Sequence, residues 1–553
     1  MERSVHENIS FATVANLRSA MSEGALVGVR GSPTKEIRNV VTTLQKPFER
    51  CLFLPGRESQ INTLTAETMW VLAGRADIAW FSNYLSSASK YSDDGRVWRG
   101  GYGPRLRRWS PRLWDWGGVD QIAEVRALLS QDPTSRRAVM GLYDPAQDFG
   151  DSKDIPCNNW LSWLNRDGLL HLNVAIRSND AIRGFSGINA FEWSVLLSMM
   201  AHWLGLRVGT LTFFASSFHV YETDFKLADD VVKAYPGFTA YDFGVPIPSF
   251  QTPWGEFHRA LKLWFKAEKE LRTAADPSLT TIKKLDDPFF QSTLRLIRLK
   301  WGLRNGSWSD DRLRDELHDL PEDDFAAAAY ELYGRKRPEM LVDIPQPRIA
   351  AYFRALQGGE TAFAAVRLKN AIKHLHARKN KAYGAAWKRR GERISILPNI
   401  ARKVDRLDVF ASRGETLSDE PVLDTVVDLF VYATKYRLFL AEKHSSLIER
   451  AVKQPAPTPF SDYDANFDAL VDASECGSAA PADLKAKIVE MVRVFEQLCA
   501  CVEADGTPEE KLSFAEQLCQ SAETVITQVS RQHPAEVEQF VRAEIGIGRS
   551  EEA

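Results

Sequence analysis

A chain of 553 residues is longer than one hydrophobic core ordinarily serves, so two to four domains are expected. With 44% hydrophobic and 26% charged residues and no apolar run long enough to span a bilayer, it reads as a water-soluble globular protein with no membrane partner. A formal net charge of −3 argues against general electrostatic attraction to nucleic acid, and no direct nucleic-acid binding is expected.

The start, "MERSVHENISFATVANLRSAM", lacks a basic stretch followed by an apolar one, and a cytoplasmic location is expected. The six cysteines (Cys51, Cys157, Cys476, Cys499, Cys501, Cys519) show no paired zinc spacing. They are expected to be reduced, with Cys499 and Cys501 as two buried helix positions. Arg105 to Arg108, the Arg136-Arg137 pair and the stretch Lys379 to Arg406 are basic, and "LHDLPEDDF" is acidic; each reads as a solvated face.

Along the chain, "LLHLNVAIRS" (169–178) and "GTLTFFASSFHVY" (209–221) predict strands. Between them "AFEWSVLLSMMAHWLGL" (190–206) has the length and periodicity of a buried helix. The stretch "YPGFTAYDFGVPIPSFQTPWG" reads as a boundary. Beyond it the patterns are helical, broken at "NGSWSD", "VDIPQPR", "KQPAPTPFSDYD" and "ECGSAAPAD". The expected fold class is therefore α+β in the N-terminal part, a mixed sheet packed with helices, followed by an all-α C-terminal half. The expected divisions are residues 1–250, 251–350, 351–455 and 460–553.

Cys157 follows a proline in "DIPCNNW", which suits a strand edge or turn that projects the thiol into a cleft. Alone, such a cysteine is more often an inert small hydrophobe. The ordered stretches "VRGSPTKE", "LTAETMWVLAGRADIAWF", "GGYGPR", "QDPTSRR", "IPCNNW", "RSND", "INAFEW" and "FHVY" change that, because over residues 25–225 they resemble the thymidylate synthase and pyrimidine hydroxymethylase family. The resemblance implies a thymidylate-synthase-like N-terminal domain in which the Cys157 thiol adds to C6 of a pyrimidine nucleoside monophosphate and 5,10-methylenetetrahydrofolate donates a one-carbon unit to C5. It implies a homodimer in which Arg136 and Arg137 reach the phosphate of the other protomer's substrate.

Within that frame Arg30, Arg177, Arg136 and Arg137 are guanidinium clamps for the 5′-phosphate, with Ser178 adding a hydroxyl donor. In isolation "DPTSRR" would be a surface ion-pair network. Arg177 also lies near the thiol, where its charge favours a thiolate. Glu67 interrupts an apolar helical pattern and matches the family's proton-managing glutamate; otherwise it is a solvent-facing helix position. Tyr102 belongs to the same catalytic set. Asn189 complements N3–H and O4 of uracil, and a flipped amide would serve cytosine. His219 and Tyr221 alternate along a strand toward the sugar, or else form core. Asp180 matches the family's folate-orienting aspartate.

Three departures bear on the reaction. Asn158 follows the nucleophile where the synthases usually carry histidine. One extra residue makes Asn189 an alignment choice over Ile188. Ser87, Ala88 and Ser89 stand near the place of tryptophans that in synthases precede the turn before Tyr102. An indole there excludes water, so small residues favour water capture and 5-hydroxymethylation over methylation. An alternative keeps the fold as an inactive nucleotide sensor with a helical effector half.

In the C-terminal half, residues 378–440 resemble more loosely a phage-type nucleotide-modification-associated helical domain, similar to all-α nucleotide pyrophosphatases. Glu420, Asp424 and Asp428 repeat every four residues on one helix face, which could hold Mg²⁺ or simply be solvated surface. A dimerising or scaffold bundle is the other reading of this half.

Overall fold

The computed structural model describes residues 3–29, 31–109, 118–306, 308–358, 360–413, 421–452 and 463–545; Arg30 and Glu420 lie outside them. The chain divides into two compact units, Met1–Phe353 and Arg354–Ala553. The fold class is α+β in the first unit and all-helical in the second.

The first unit is built on one mixed sheet of β1 (Arg3–His6), β2 (Ala25–Val29), β3 (Ser32–Leu44), β4 (Val139–Gly141), β5 (Asn158–Arg166), β6 (Leu169–Ile176), β7 (Asn179–Asp180) and β8 (Arg207–Tyr221). Its order is β1-β3-β8-β6-β5-β4, with β2 added to β3 and β7 to β8. β5 and β6 form a hairpin because Asp167 (φ 54°) and Gly168 (φ 74°) supply the two left-handed residues that a tight turn between twisted strands needs. In β6 every second residue, Leu170, Leu172, Val174 and Ile176, is buried, as strand alternation requires.

Helices α1 (Ile9–Glu23), α2 (Ile61–Leu72), α3 (Tyr102–Arg107), α4 (Gln121–Gln131) and α5 (Ala190–Leu204) belong to the same unit, α1 and α5 lying directly against the sheet. α5 is the buried helix expected from its sequence; Gly205 stops it in the left-handed conformation (φ 65°). A segment with π-helical bonding, Ala181–Asn189, kinked at Gly187 (φ −86°, ψ −108°), leads into α5, the kind of irregularity common at functional sites.

The Pro- and aromatic-rich stretch near residue 245 lies inside the first unit, which continues through helices Trp254–Thr273, Pro288–Arg304 and Asp324–Gly334. Glu268, fully buried, fastens this helical part by accepting from Trp80 Nε1 (2.9 Å), Tyr84 Oη (2.7 Å) and Arg272 Nε (2.7 Å).

Two stretches read as solvated faces are partly interior. Arg105 is 7% exposed and bidentate to Asp148 (2.7 and 2.8 Å), and Arg107 pairs with Asp120 (3.1 Å). Asp323 and Asp324 are buried, and burial pushes their carboxyls up to about 6 and about 7. Pairing and capping made burial possible where charge alone suggested exposure: Asp323 caps its helix by accepting from Ala326 N (2.8 Å), and Tyr241 Oη donates to Asp324 (2.9 Å).

In the second unit, helix Val422–Lys443 is buried along most of its length, and its Leu423, Val427 and Tyr436 share a core with Ile488, Leu498, Leu518 and Ile526. Asp428 is held between Lys379 (2.5 Å) and Lys403 (2.7 Å). Two ammonium groups therefore take the carboxylate that the Mg²⁺ reading needed, and no cluster of His, Cys, Asp or Glu able to hold a metal occurs among the described residues. No disulfide joins any of the six cysteines, and Cys499 and Cys501 are half-buried rather than buried. No helix among the described residues is long and apolar enough to cross a membrane.

Candidate active site

Cys157 sits in the bend that opens β5, and the ladder with β6 shifts register between Asn158 and Trp160. A bulge of this kind re-aims the first side chains of a strand. Arg177, just past the end of β6, fixes the bend: its Nε donates to Pro156 O (2.9 Å) and its Nη2 to Ile155 O (2.8 Å). The same Nη2 stands 3.8 Å from Cys157 Sγ, so a guanidinium charge bears on the sulfur. Ser178 beside it is half-buried, and its hydroxyl bonds no protein group among the described residues.

Beneath the thiol lies a closed polar network. Asn158, fully buried, donates from its backbone N (3.2 Å) and Nδ2 (2.5 Å) to Tyr102 Oη, and from Nδ2 to Asn189 Oδ1 (3.2 Å). Trp193 Nε1 donates to Asn158 Oδ1 (3.4 Å), its ring packed 5.5 Å from that of Tyr102. Asn189 Nδ2 in turn donates to Asn179 Oδ1 (3.2 Å). Gly184 lies over this pair: a Cβ there would meet Asn179 Oδ1 at 3.1 Å and Asn189 Nδ2 at 3.4 Å. The π-helical insertion thus turns Asn189 into the network.

Glu67 lies on α2, half-buried, and burial pushes its carboxyl up to about 8. Burial also raises Tyr102, and Cys157 and Glu192 act in the same direction. Glu192, 2% exposed on α5, is raised well above the carboxylate range by burial and by Glu67. Glu192 and Trp193 were not singled out from sequence; "AFEWSVLL" carries the same signal as the stretch around Glu67, a carboxylate inside an apolar helix.

His219 and Tyr221 lie on one side of β8, rings 5.1 Å apart, and Ser217 Oγ meets His219 Nδ1 at 3.2 Å. Burial lowers the His219 imidazole. Asp180 pairs opposite His219 in the sheet and caps the π-helical segment, its Oδ1 accepting from Ile182 N (2.8 Å) and Arg183 N (3.1 Å). Its Oδ2 has only a 3.4 Å contact with Arg183 Nη1, which also pairs with Asp224.

Arg136 and Arg137, just before the edge strand β4, are exposed, and neither guanidinium meets an acidic group among the described residues. They stand apart from the network. The turn at Asp93 borders the nucleophile loop, accepting from Ser152 Oγ (2.7 Å) and Lys153 N (2.8 Å). Of the three small residues ahead of it Ala88 is buried, and Tyr91 stacks on Trp98 with centroids 6.2 Å apart.

In comparison with known proteins, residues 30–239 match the thymidylate synthase family model. The deoxyuridylate hydroxymethyltransferase of Bacillus phage SP01 is 37% identical over 226 residues, 40% of this chain and 59% of that protein. The protein of the same description from Pseudomonas phage M6 is 32% identical over 218 residues, 39% of this chain and 60% of that protein. A protein of Methanothermobacter thermautotrophicus (strain Delta H) described as "Putative thymidylate synthase" is 32% identical over 205 residues, 37% of this chain and 86% of that protein. The chain spans 59% and 60% of the length of the two phage relatives.

Proposed function

The chain belongs to the thymidylate synthase family, and on that premise we propose that its first unit transfers a one-carbon unit to C5 of a pyrimidine nucleoside 5′-monophosphate, dUMP or UMP, releasing the 5-hydroxymethyl product. The observation that carries this reading is the placement of Cys157: a thiol at a bulged strand start, with a guanidinium 3.8 Å from its sulfur and the Tyr102, Asn158 and Asn189 network beneath.

The sulfur adds to C6, and the C5=C6 electron pair moves to C5 and O4, making C5 nucleophilic. Glu67, with its carboxyl at about 8, is populated in both forms near neutral pH and can take and return protons at the ring. Departure of the thiolate from C6 restores the ring double bond. Arg177 and Ser178, with Arg30 and the arginine pair of a second copy, hold the phosphate. Asn189 reads the base edge, and His219 and Tyr221 hold the sugar. Asp180 fits 5,10-methylenetetrahydrofolate, because its Oδ2 is nearly free to accept from a pterin N–H. When bound, the folate supplies a one-carbon unit at the oxidation level of formaldehyde.

Water capture follows from the lack of a large ring at Ser87, Ala88 and Ser89, and the names of the phage relatives point the same way. Mass spectrometry of the product from UMP, dUMP, CMP and dCMP, with and without methylenetetrahydrofolate, tests the reading. A gain of CH₂O on a uracil nucleotide is expected; a gain of CH₂ makes the chain a methylating enzyme, and no gain with any substrate overturns the enzyme.

A further inference from the structure

Glu192 takes no part in the chemistry above, yet it is a carboxyl buried close to Glu67 and Tyr102 of the site. It is 2% exposed and occupies the third position of α5, and no hydrogen bond reaches either oxygen from the described residues. A glutamate at that position ordinarily turns back to cap the first helical N–H groups. Here the π-helical segment runs directly into α5, with Ala190 N already bonded to Phe185 O, and Glu192 makes no cap. Leaving a buried carboxyl without a partner is costly, so the side chain is shaped for a partner that arrives from outside.

Its position says what that partner is. Asn189, Glu192 and Trp193 are spaced by three and four residues and share one face of the helix. Asn189 and Trp193 are bonded into the network under Cys157. The titratable groups facing Glu192 are Glu67 on α2 and Tyr102 on α3, and no cation among the described residues offsets them. Burial and the Glu67 charge raise the Glu192 carboxyl well above its ordinary range, which favours the proton-bearing, donating form.

We propose that Glu192 is a specificity-determining residue whose carboxyl group donates a hydrogen bond to the 4-oxo group of a uracil ring seated over the first turn of α5. The inference rests on the pyrimidine-transferase reading of the site and deepens it by naming the residue that selects uracil over cytosine. Cytosine presents an amino group at that place, donor against donor, and leaves two buried polar groups unpaired. The same O–H meets the negative charge that reaches O4 when the Cys157 sulfur adds to C6, without surrendering its proton.

The test is calorimetric binding of UMP, dUMP, CMP and dCMP to the full chain, wild type and Glu192→Gln. Wild type should bind its uracil nucleotide at least about tenfold more tightly than the cytosine counterpart. Glu192→Gln, whose amide can donate or accept, should lose most of that preference while keeping uracil binding within a few-fold. In wild type alone, the infrared difference spectrum on binding the uracil nucleotide should show a protonated-carboxyl stretch moving to lower frequency. An unchanged preference in the variant, a wild-type preference for cytosine, or a spectrum without a protonated-carboxyl band overturns the role of Glu192 and leaves the transferase reading standing. Failure of wild type to bind any of the four overturns both.

Discussion

Two residues of the first unit carry opposite demands. Cys157 needs exposure to a substrate and a nearby cation, and it has both; its replacement should therefore remove chemistry and leave the fold alone. Cys157→Ser is expected to abolish tritium release from a 5-tritiated uracil nucleotide, with nucleotide binding retained by calorimetry; release at the wild-type rate would sink the nucleophile assignment. Glu67 is burdened instead. Its folded-state carboxyl is raised to about 8 from an ordinary 4.5, so between those values the unfolded chain has lost a proton that the native chain keeps. Its contribution to stability therefore falls as pH rises through that window and levels off above about 8. Glu67→Gln removes the penalty: at pH 8 the variant should be more stable than wild type by on the order of 2 kcal/mol in urea unfolding, while at pH 4 the two converge. The same variant should lose product formation, since an amide moves no protons. A variant as fragile as wild type at pH 8 would show that Glu67 is solvated.

At the scale of elements, the site depends on irregular backbone that the pattern of residues only partly announces. Strands 169–176 and 207–221 and the buried helix 190–204 were legible because alternation and helical periodicity follow directly from burial. The π-helical segment was not: it appears in sequence only as one surplus residue ahead of Asn189, and backbone hydrogen bonding decides where the surplus goes. Cys157, Arg177 and Tyr102 were found through ordered motifs, and the structure brings them together. Glu192 was passed over because no motif marks it and its meaning lies in missing partners. The interior pairing of Arg105 with Asp148 was hidden because 43 residues separate the partners and charge suggests surface. Gly184 tests the irregular segment. Gly184→Ala pushes a methyl against Asn179 and Asn189, and turnover should fall by about 10-fold or more with a small change in melting temperature. Asp148→Asn tests the pin that holds α3, and with it Tyr102: breaking a buried pair should cost about 3 kcal/mol in denaturant unfolding.

For the molecule as a whole, the sheet of the first unit leaves two aromatic side chains exposed on one face. Trp160, Ala175 and Phe214 stand opposite one another across β5, β6 and β8, and the two aromatic residues are each 38% exposed. Exposed aromatic area on a flat sheet face is interface material. Arg136 and Arg137, exposed at the edge strand and without acidic partners among the described residues, lie away from their own network. A two-fold pairing repeats every contact in both directions, so arginines that reach the other protomer's phosphate would do so at both sites. Mixing two inactive variants decides whether the pair acts in trans. One carries Cys157→Ser; the other carries Arg136→Ala and Arg137→Ala. In a mixed dimer the intact cysteine of the second protomer meets the intact arginines of the first, and one of the two sites is whole. Random reassortment of equal amounts makes half the dimers mixed, so activity should recover to about a quarter of wild type. If the arginines serve the cysteine of their own chain, every site in the mixture lacks one or the other, and no activity returns.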